Sequence, residues 1–337
     1  MKAHHLPAFR ARQVLDWRNK GLLDLDAMRN IPKQVKEILA KHLQIQPLTL
    51  VSKQKSKDGT RKYLFALNRD GSKLKHVESV LIPEKERATV CISSQAGCVL
   101  DCPFCHTGTQ KFEGNLSAAE IVAQVLAVKA DLLDDPMIPE LHNQVTHIVY
   151  MGMGEPLANE AEVFQSLNLL MAEDYLQLSR RRITLSTSGL VPQIERLGQH
   201  ASVNLAISLH TAINQKRDVL VPINQKYDLG QLRKCLNTYP LPKARHITLE
   251  YVMLAGENDG QEDLDALAAF VNPERERVNL IRFNTYPGSP YQGSSTKVTN
   301  AFAKSLISKG IRVTVRRSRG DDIMAACGQL KTAKGHE

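Results

Sequence analysis

The 337-residue sequence has no apolar run long enough to cross a bilayer: stretches such as Val145–Met151 fall far short of the roughly 20 residues that a spanning helix needs. Its first residues, Met1-Lys2-Ala3-His4-His5, lack the apolar segment of a secretory signal. Internal repeats and low-complexity blocks are also missing, which sets solenoid and array folds aside. Hydrophobic residues make up 42% of the chain, enough for a sizeable core, so disorder is excluded as its main state. These absences predict a cytoplasmic protein without a membrane partner. In that reducing compartment six cysteines are candidates for metal or redox chemistry and not a disulfide framework. The 44 Lys and Arg outnumber the 35 Asp and Glu, and the resulting charge of +9 suggests a polyanionic partner such as nucleic acid.

Residues 8–42 carry apolar side chains at helical spacing, with Ile31-Pro32 opening a second helix. Lys62–Leu67 and Val77–Ile82 read as strands, with turns near Asp58-Gly59 and Asp70-Gly71. From there strand-like runs (88–92, 145–151, 182–187, 203–209, 246–253, 278–283 and 311–316) alternate with helical patterns, clearest at 118–133, 163–171, 231–236, 264–271 and 299–309. Repeated βα units imply an α/β fold with a parallel sheet, either a barrel or a doubly wound sheet, and functional groups at the C-terminal ends of the strands. The expected organisation is a helical module (1–50), a β-ribbon linker (51–85), a core (86–330) and a tail (331–337).

Cys98, Cys102 and Cys105 form C-x3-C-x2-C directly after a predicted strand. Three thiolates on so short a loop can reach one metal centre. A zinc ion would use them with a fourth ligand such as His106, whereas an iron–sulfur cube would be left with one iron open to an outside molecule. Taken alone, Cys91 reads as a buried strand cysteine and Cys327 as a free thiol without a task; Cys235, on a helical pattern, reads as core.

The C-x3-C-x2-C spacing resembles that of radical S-adenosylmethionine (SAM) enzymes. Further blocks narrow the resemblance: Cys91–Cys98, Gly152-Met153-Gly154-Glu155-Pro156-Leu157, Ser186-Thr187-Ser188-Gly189, Ser208-Leu209-His210 and Ala325–Leu330 are together similar to the RlmN/Cfr family of RNA adenine methyltransferases, from about Phe9 to Leu330. The resemblance implies a radical SAM partial (β/α)6 barrel. It also implies a [4Fe-4S] cluster on Cys98, Cys102 and Cys105, and SAM held by Gly154, Glu155, Ser186, Ser208, Leu209, His210 and Asn284. Cys327 is implied as the methyl-accepting thiol, Cys91 as the thiol that resolves the protein–RNA adduct through a disulfide with Cys327, and Glu78 as a general acid/base.

The implied partners are 23S rRNA, tRNA and an electron donor such as flavodoxin or ferredoxin, with the chain acting as a monomer. Phosphate contacts are expected from Arg10, Arg12, Lys53, Lys55, Arg180–Arg182, Arg316, Arg317 and Arg319. Tyr286–Tyr291 and Arg316–Ile323 resemble the branch that methylates C2 of adenosine 2503 in 23S rRNA and adenosine 37 of some tRNAs. The alternatives are C8 methylation, as in the Cfr branch, and a non-catalytic RNA-binding protein stabilised by zinc. The resemblance begins close to residue 1, short of the helical lead-in usual in the family, and Gly114 stands where a basic residue is common; both features predict altered RNA binding.

Overall fold

In the computed structural model residues 6–22, 24–42, 48–69, 74–138, 141 and 144–332 are described. The predicted turn at Asp70-Gly71 and the last five tail residues lie outside them. Helices α1 (Ala8–Asn19) and α2 (Lys33–His42) bury Val14, Met28, Ile31, Val35 and Leu39 in a small core of their own. Pro32 precedes α2, where its fixed φ suits the start of a helix and its missing N–H breaks no bond.

Strands β1 (Leu48–Lys55), β2 (Arg61–Leu67) and β3 (His76–Glu84) form an antiparallel ribbon. Asp58 makes the β1–β2 turn by accepting the Thr60 N–H at 2.9 Å. The ribbon runs directly into the main sheet, because β3 pairs antiparallel with β4 (Arg87–Cys91) and sets Val80 opposite Cys91. Two short strands, β5 (Gln95–Ala96) and β6 (Gly114–Asn115), then clamp the ends of the loop that carries the three clustered cysteines.

Helix α3 (Ala118–Asp134) starts at Ser117, whose hydroxyl accepts the Glu120 N–H while Glu120 accepts the Ser117 N–H, leaving two helix-end donors satisfied. It leads to β7 (His147–Tyr150), α4 (Glu160–Met171), β8 (Ile183–Thr187), α5 (Val191–His200) and β9 (Asn204–Ser208). Next come α6 (Asn214–Leu220), α7 (Leu229–Thr238), β10 (Ile247–Met253), α8 (Gln261–Phe270), β11 (Glu276–Arg282), α9 (Thr296–Ser308) and β12 (Val313–Arg316).

Strands β4, β7, β8, β9, β10, β11 and β12 are parallel neighbours in that order. Six strand–helix units and a closing strand therefore curve into an open barrel, with the antiparallel ribbon on one edge. Strand parity sets the division of labour. Val90, Ile148, Leu185, Ile207, Leu249 and Leu280 are fully buried in the main core, while Thr184, Thr248, Glu250, Asn279 and Thr314, on the opposite parity, line the barrel lumen. Among the described residues no helix is long and apolar enough to cross a membrane.

Candidate active site

The βα loops at the C-terminal ends of the parallel strands surround one cavity. Cys98, Cys102 and Cys105 line it; Glu155, Ser186, Ser208 and His210 come from successive strand ends; Cys327 completes the lining beside the cysteine loop. Leu100, Phe104, Val252 and Phe283 make much of the remaining surface apolar. The cysteine loop can turn this tightly because Gly108 has no side chain: a Cβ there would stand 2.4 Å from the Cys102 carbonyl oxygen.

Burial pushes the three loop thiols upward, Cys98 to about 12, so desolvation opposes a thiolate there. Backbone N–H groups counter it: Leu100 donates toward Cys98, and Gly108 and Thr107 toward Cys105. Each of Cys98 and Cys102 also senses the charge of Cys105. Among the described residues no group of three or more His, Cys, Asp or Glu side chains is arranged to hold a single metal ion. Three soft sulfur donors around one largely apolar cavity, already aimed at by N–H groups, suit an iron–sulfur cluster whose positive charge would offset the desolvation of the thiolates.

Glu155 is buried at the end of the β7 loop. It accepts the Leu157 N–H at 3.0 Å through Oε1 and the Ser188 N–H at 2.8 Å through Oε2. Desolvation still raises its pKa, and a carboxylate retains lone pairs beyond those two bonds for a cation such as an ammonium group. Gly154, at φ +95°, lets this loop pass the Gln95 side chain, where a Cβ would approach within 2.4 Å. Ser186 and Ser208 bring their hydroxyl oxygens to 3.3 Å across β8 and β9.

His210 adopts φ +59° and accepts the Val252 N–H on Nδ1 at 3.1 Å, which assigns the ring proton to Nε2. Desolvation, aided by the Arg217 charge, lowers its pKa to about 3, so the imidazole is neutral. Leu209 does not line the cavity; it is core, with its N–H bonded to the Glu250 carbonyl and its carbonyl accepting from Arg217.

Cys91, at the end of β4, and Cys327 share Arg316 and Glu250 as charged neighbours, and Cys91 also senses Cys327. Burial pushes Cys91 to about 12, with Cys327 adding to the rise, and pushes Cys327 to about 11; Arg316 pulls both down. Among the described residues all six cysteines are free thiols, and Cys235 is buried in α7 as the helical pattern implies.

The segment after β12 straps the Cys327 loop in place. His106 N–H donates to the Gly328 carbonyl at 2.8 Å, and the Thr107 hydroxyl to the Leu330 carbonyl at 2.6 Å. Asn284 does not reach the cysteine-lined cavity. Its amide donates to the Cys327 carbonyl at 3.0 Å and accepts the Ser318 hydroxyl at 2.5 Å, so both of its ends hold the strap.

Glu78 is also off the cavity wall. It is buried on β3, paired with Lys62 at 3.2 Å, and accepts the Lys331 N–H at 3.0 Å from the same strap. Burial raises its pKa against the pull of Lys62. Arg180–Arg182 stand at the N-terminal end of β8, on the far side of the barrel from the cysteines, and Arg316 points into the lumen beside the thiols.

Residues 92–271 match the Radical SAM superfamily. A dual-specificity RNA methyltransferase RlmN of Brucella anthropi is 47% identical over 323 residues, covering 93% of this chain and 79% of the relative. The enzyme of the same name from Rhodopseudomonas palustris is 45% identical, covering 96% and 82%. The crystal structure of a radical SAM methyltransferase from Sphaerobacter thermophilus superposes with a TM-score of 0.91 at 40% identity, covering 98% of this chain and 95% of that one. The chain belongs to the RlmN family of radical SAM RNA methyltransferases. Membership brings a [4Fe-4S] cluster and SAM as cofactors, and the thiol set and strand-end polar groups described above are a fitting donor set for both. It also retires the non-catalytic zinc alternative.

The sequence alone did not single out Arg217 or Glu250, and it offered Arg316 as a phosphate contact, not as a neighbour of the thiols. Arg217 is fully buried and donates to the carbonyls of Leu209, Ser188 and Ser208 and to Asn224 Oδ1, tying the ends of β8 and β9 together beneath the cavity. A lone arginine on a short helix carries no pattern that reveals this. Glu250 did carry a signal: it interrupts the apolar strand Ile247–Met253 at an inward-facing position.

Proposed function

We propose that the chain methylates C2 of adenosine 2503 in 23S rRNA, and adenosine 37 of some tRNAs, through a methyl group first placed on Cys327. The observation that carries this reading is the proximity of Cys91 to Cys327, which stands at the wall of a cavity lined by three further cysteines. Methyl transfer through a thiol explains why an RNA methyltransferase needs two cysteines beyond its cluster ligands.

Cys98, Cys102 and Cys105 hold the cluster, and Glu155, Ser186, Ser208 and His210 bind SAM, with Gly154 providing close backbone approach. When bound, these cofactors supply a methyl group for transfer and, from a second SAM, a carbon radical able to take a hydrogen atom. The chain's own residues do the rest. Arg316 favours the thiolate of Cys327, the strap held by Asn284 keeps its sulfur at the cavity wall, and apolar walls exclude water. Cys91 closes on Cys327 as a disulfide, releasing the modified base. Glu78 moves a proton near the base from its place on β3 against the strap, where burial raises its pKa.

Residues 1–50 serve as an RNA-binding module, consistent with their separate small core. The ribbon, spanning 51–85, carries Glu78 to the core, spanning 86–330, and 331–337 form a tail. A flavodoxin or ferredoxin supplies electrons, and the enzyme works as a monomer in the cytoplasm. The test is an anaerobic assay with SAM carrying a labelled methyl, followed by digestion of the RNA and mass spectrometry against 2- and 8-methyladenosine standards. Label in 2-methyladenosine is expected; 8-methyladenosine as the product overturns the assignment.

A further inference from the structure

The barrel has a second, larger opening at the N-terminal ends of its strands, leading to a cavity of about 720 Å³. Arg87, Arg182 and Arg277 stand at or beside the first residues of β4, β8 and β11, and so ring this mouth. Arg316, Arg317 and Arg319 add to the lining, which holds two carboxylates, Glu84 and Glu250, against these six arginines. Arg277 donates to the Thr248 hydroxyl at 3.0 Å, and Arg319 is committed to an ion pair with Asp58 at 3.3 Å and to the Pro83 carbonyl at 2.7 Å. Among the described residues the side chains of Arg87 and Arg182 make no hydrogen bond or ion pair, whereas Arg316 donates to the Met151 sulfur at 4.0 Å and already faces Glu250 and the two thiols. A recessed cavity with uncommitted guanidinium groups is a site for a small anion.

The inner end of this cavity is Cys327, which lines both it and the cysteine-rich cavity on the other side. The proposed reaction leaves Cys327 bonded to Cys91, and that disulfide must be reduced before the next methyl can be accepted. The cysteine-rich side is where cofactors and the target base meet; the arginine-ringed side is a separate way to the same sulfur.

We infer that the arginine-ringed cavity admits an anionic low-molecular-weight thiol, one bearing carboxylates, that reduces the Cys91–Cys327 disulfide between turnovers. This rests on the thiol-pair reading above. A first thiolate attacks the Cys327 sulfur, forming a mixed disulfide, and Cys91 leaves as a thiolate that takes up a proton. A second thiolate attacks the sulfur of the first thiol, forming a free small-molecule disulfide, and Cys327 leaves as a thiolate beside Arg316 and is reprotonated. Two thiols are oxidised by two electrons in total, and the protein disulfide receives them. A folded dithiol protein carries its reactive sulfur on a domain too large for this cavity.

The test uses cluster-loaded full-length enzyme taken through one anaerobic turnover with RNA and no thiol, after which peptide mapping reads the disulfide. Its reduction is then timed with mercaptosuccinate, mercaptoethanol and cysteamine (anionic, neutral and cationic). Each rate is divided by that thiol's rate with neutral hydroxyethyl disulfide. Mercaptosuccinate should exceed cysteamine by about tenfold or more, and the preference should shrink with salt. In Arg87→Gln/Arg277→Gln, and in Arg87→Glu as a second variant, the ratio should collapse toward one. The ratio is internal to each variant, so a lower yield of folded protein does not shift it. Absence of charge preference in the native enzyme, or its persistence in both variants, overturns the route. Absence of the disulfide after turnover overturns the thiol-pair reading and the route with it.

Discussion

Cys91 and Cys327 differ in what each removal leaves behind. In the proposed scheme a chain without Cys91 would still accept a methyl on Cys327 and still bond to the base, with nothing to displace it. Cys91→Ala should therefore accumulate a covalent protein–RNA adduct, visible as a shifted band in denaturing electrophoresis. Cys327→Ala should give none and should carry no methyl after incubation with SAM. Normal turnover in both variants would remove the thiol scheme.

His210 gives a prediction about acid. Its pKa is about 3 in the folded chain because burial disfavours the imidazolium, against about 6.5 when unfolded. Between those values the unfolded state binds more protons, so stability falls as the pH drops below 6.5 and goes on falling toward 3. For this one group the loss between pH 7 and pH 5 is about 2 kcal/mol. Urea midpoints measured across that range should drop in the parent chain and drop less in His210→Asn. Equal slopes would show that His210 is solvated.

At the scale of elements, the strap after β12 matters most to the chemistry, since it fixes where the Cys327 sulfur sits. Asn284→Ala removes both the bond to the Cys327 carbonyl and the one from Ser318. Loss of two net hydrogen bonds, on the order of 1–3 kcal/mol, should slow methylation of Cys327 roughly tenfold or more while iron content and SAM affinity hold. If Asn284 instead contacts SAM directly, SAM affinity falls first. Mass spectrometry of the Cys327 peptide and equilibrium binding of SAM separate the two.

The strap also marks where sequence reading stopped. The parallel strands were legible because Val90, Ile148, Leu185 and Leu249 fall in short β-rich runs between turn residues, and α3 because its apolar residues recur at helical spacing. The cysteine loop was legible from spacing alone. The hold of Asn284 on Cys327, the ion pair of Lys62 with Glu78, and the ties from Arg217 to β8 and β9 all join residues whose proximity only the completed fold creates. Helix α5 escaped notice because Pro192 sits in it, although a proline in the first turn is compatible with a helix. Helix α6 is only seven residues long, with Pro222 just beyond it.

At the scale of the whole molecule, the net charge of +9 is not a uniform coat. Part of it is neutralised locally: Lys53 and Arg61 both pair with Asp131, and Arg69 pairs with Glu120. Part of it faces inward at the far mouth of the barrel. Arg10 and Arg12 of α1 belong to the module with its own core, and the pairing of Arg12 with Asp16 is an exposed one that an RNA phosphate can outcompete. If that module grips RNA, Arg10→Glu/Arg12→Glu should weaken RNA binding and flatten the dependence of log affinity on log salt by roughly 1 for each phosphate no longer neutralised. Methylation of Cys327 in the absence of RNA should continue at the parent rate, because the thiol and cofactor residues lie in the barrel. A salt slope unchanged from the parent would move the RNA footprint off α1, whereas loss of both activities would show that the small core supports the barrel and does not only append to it.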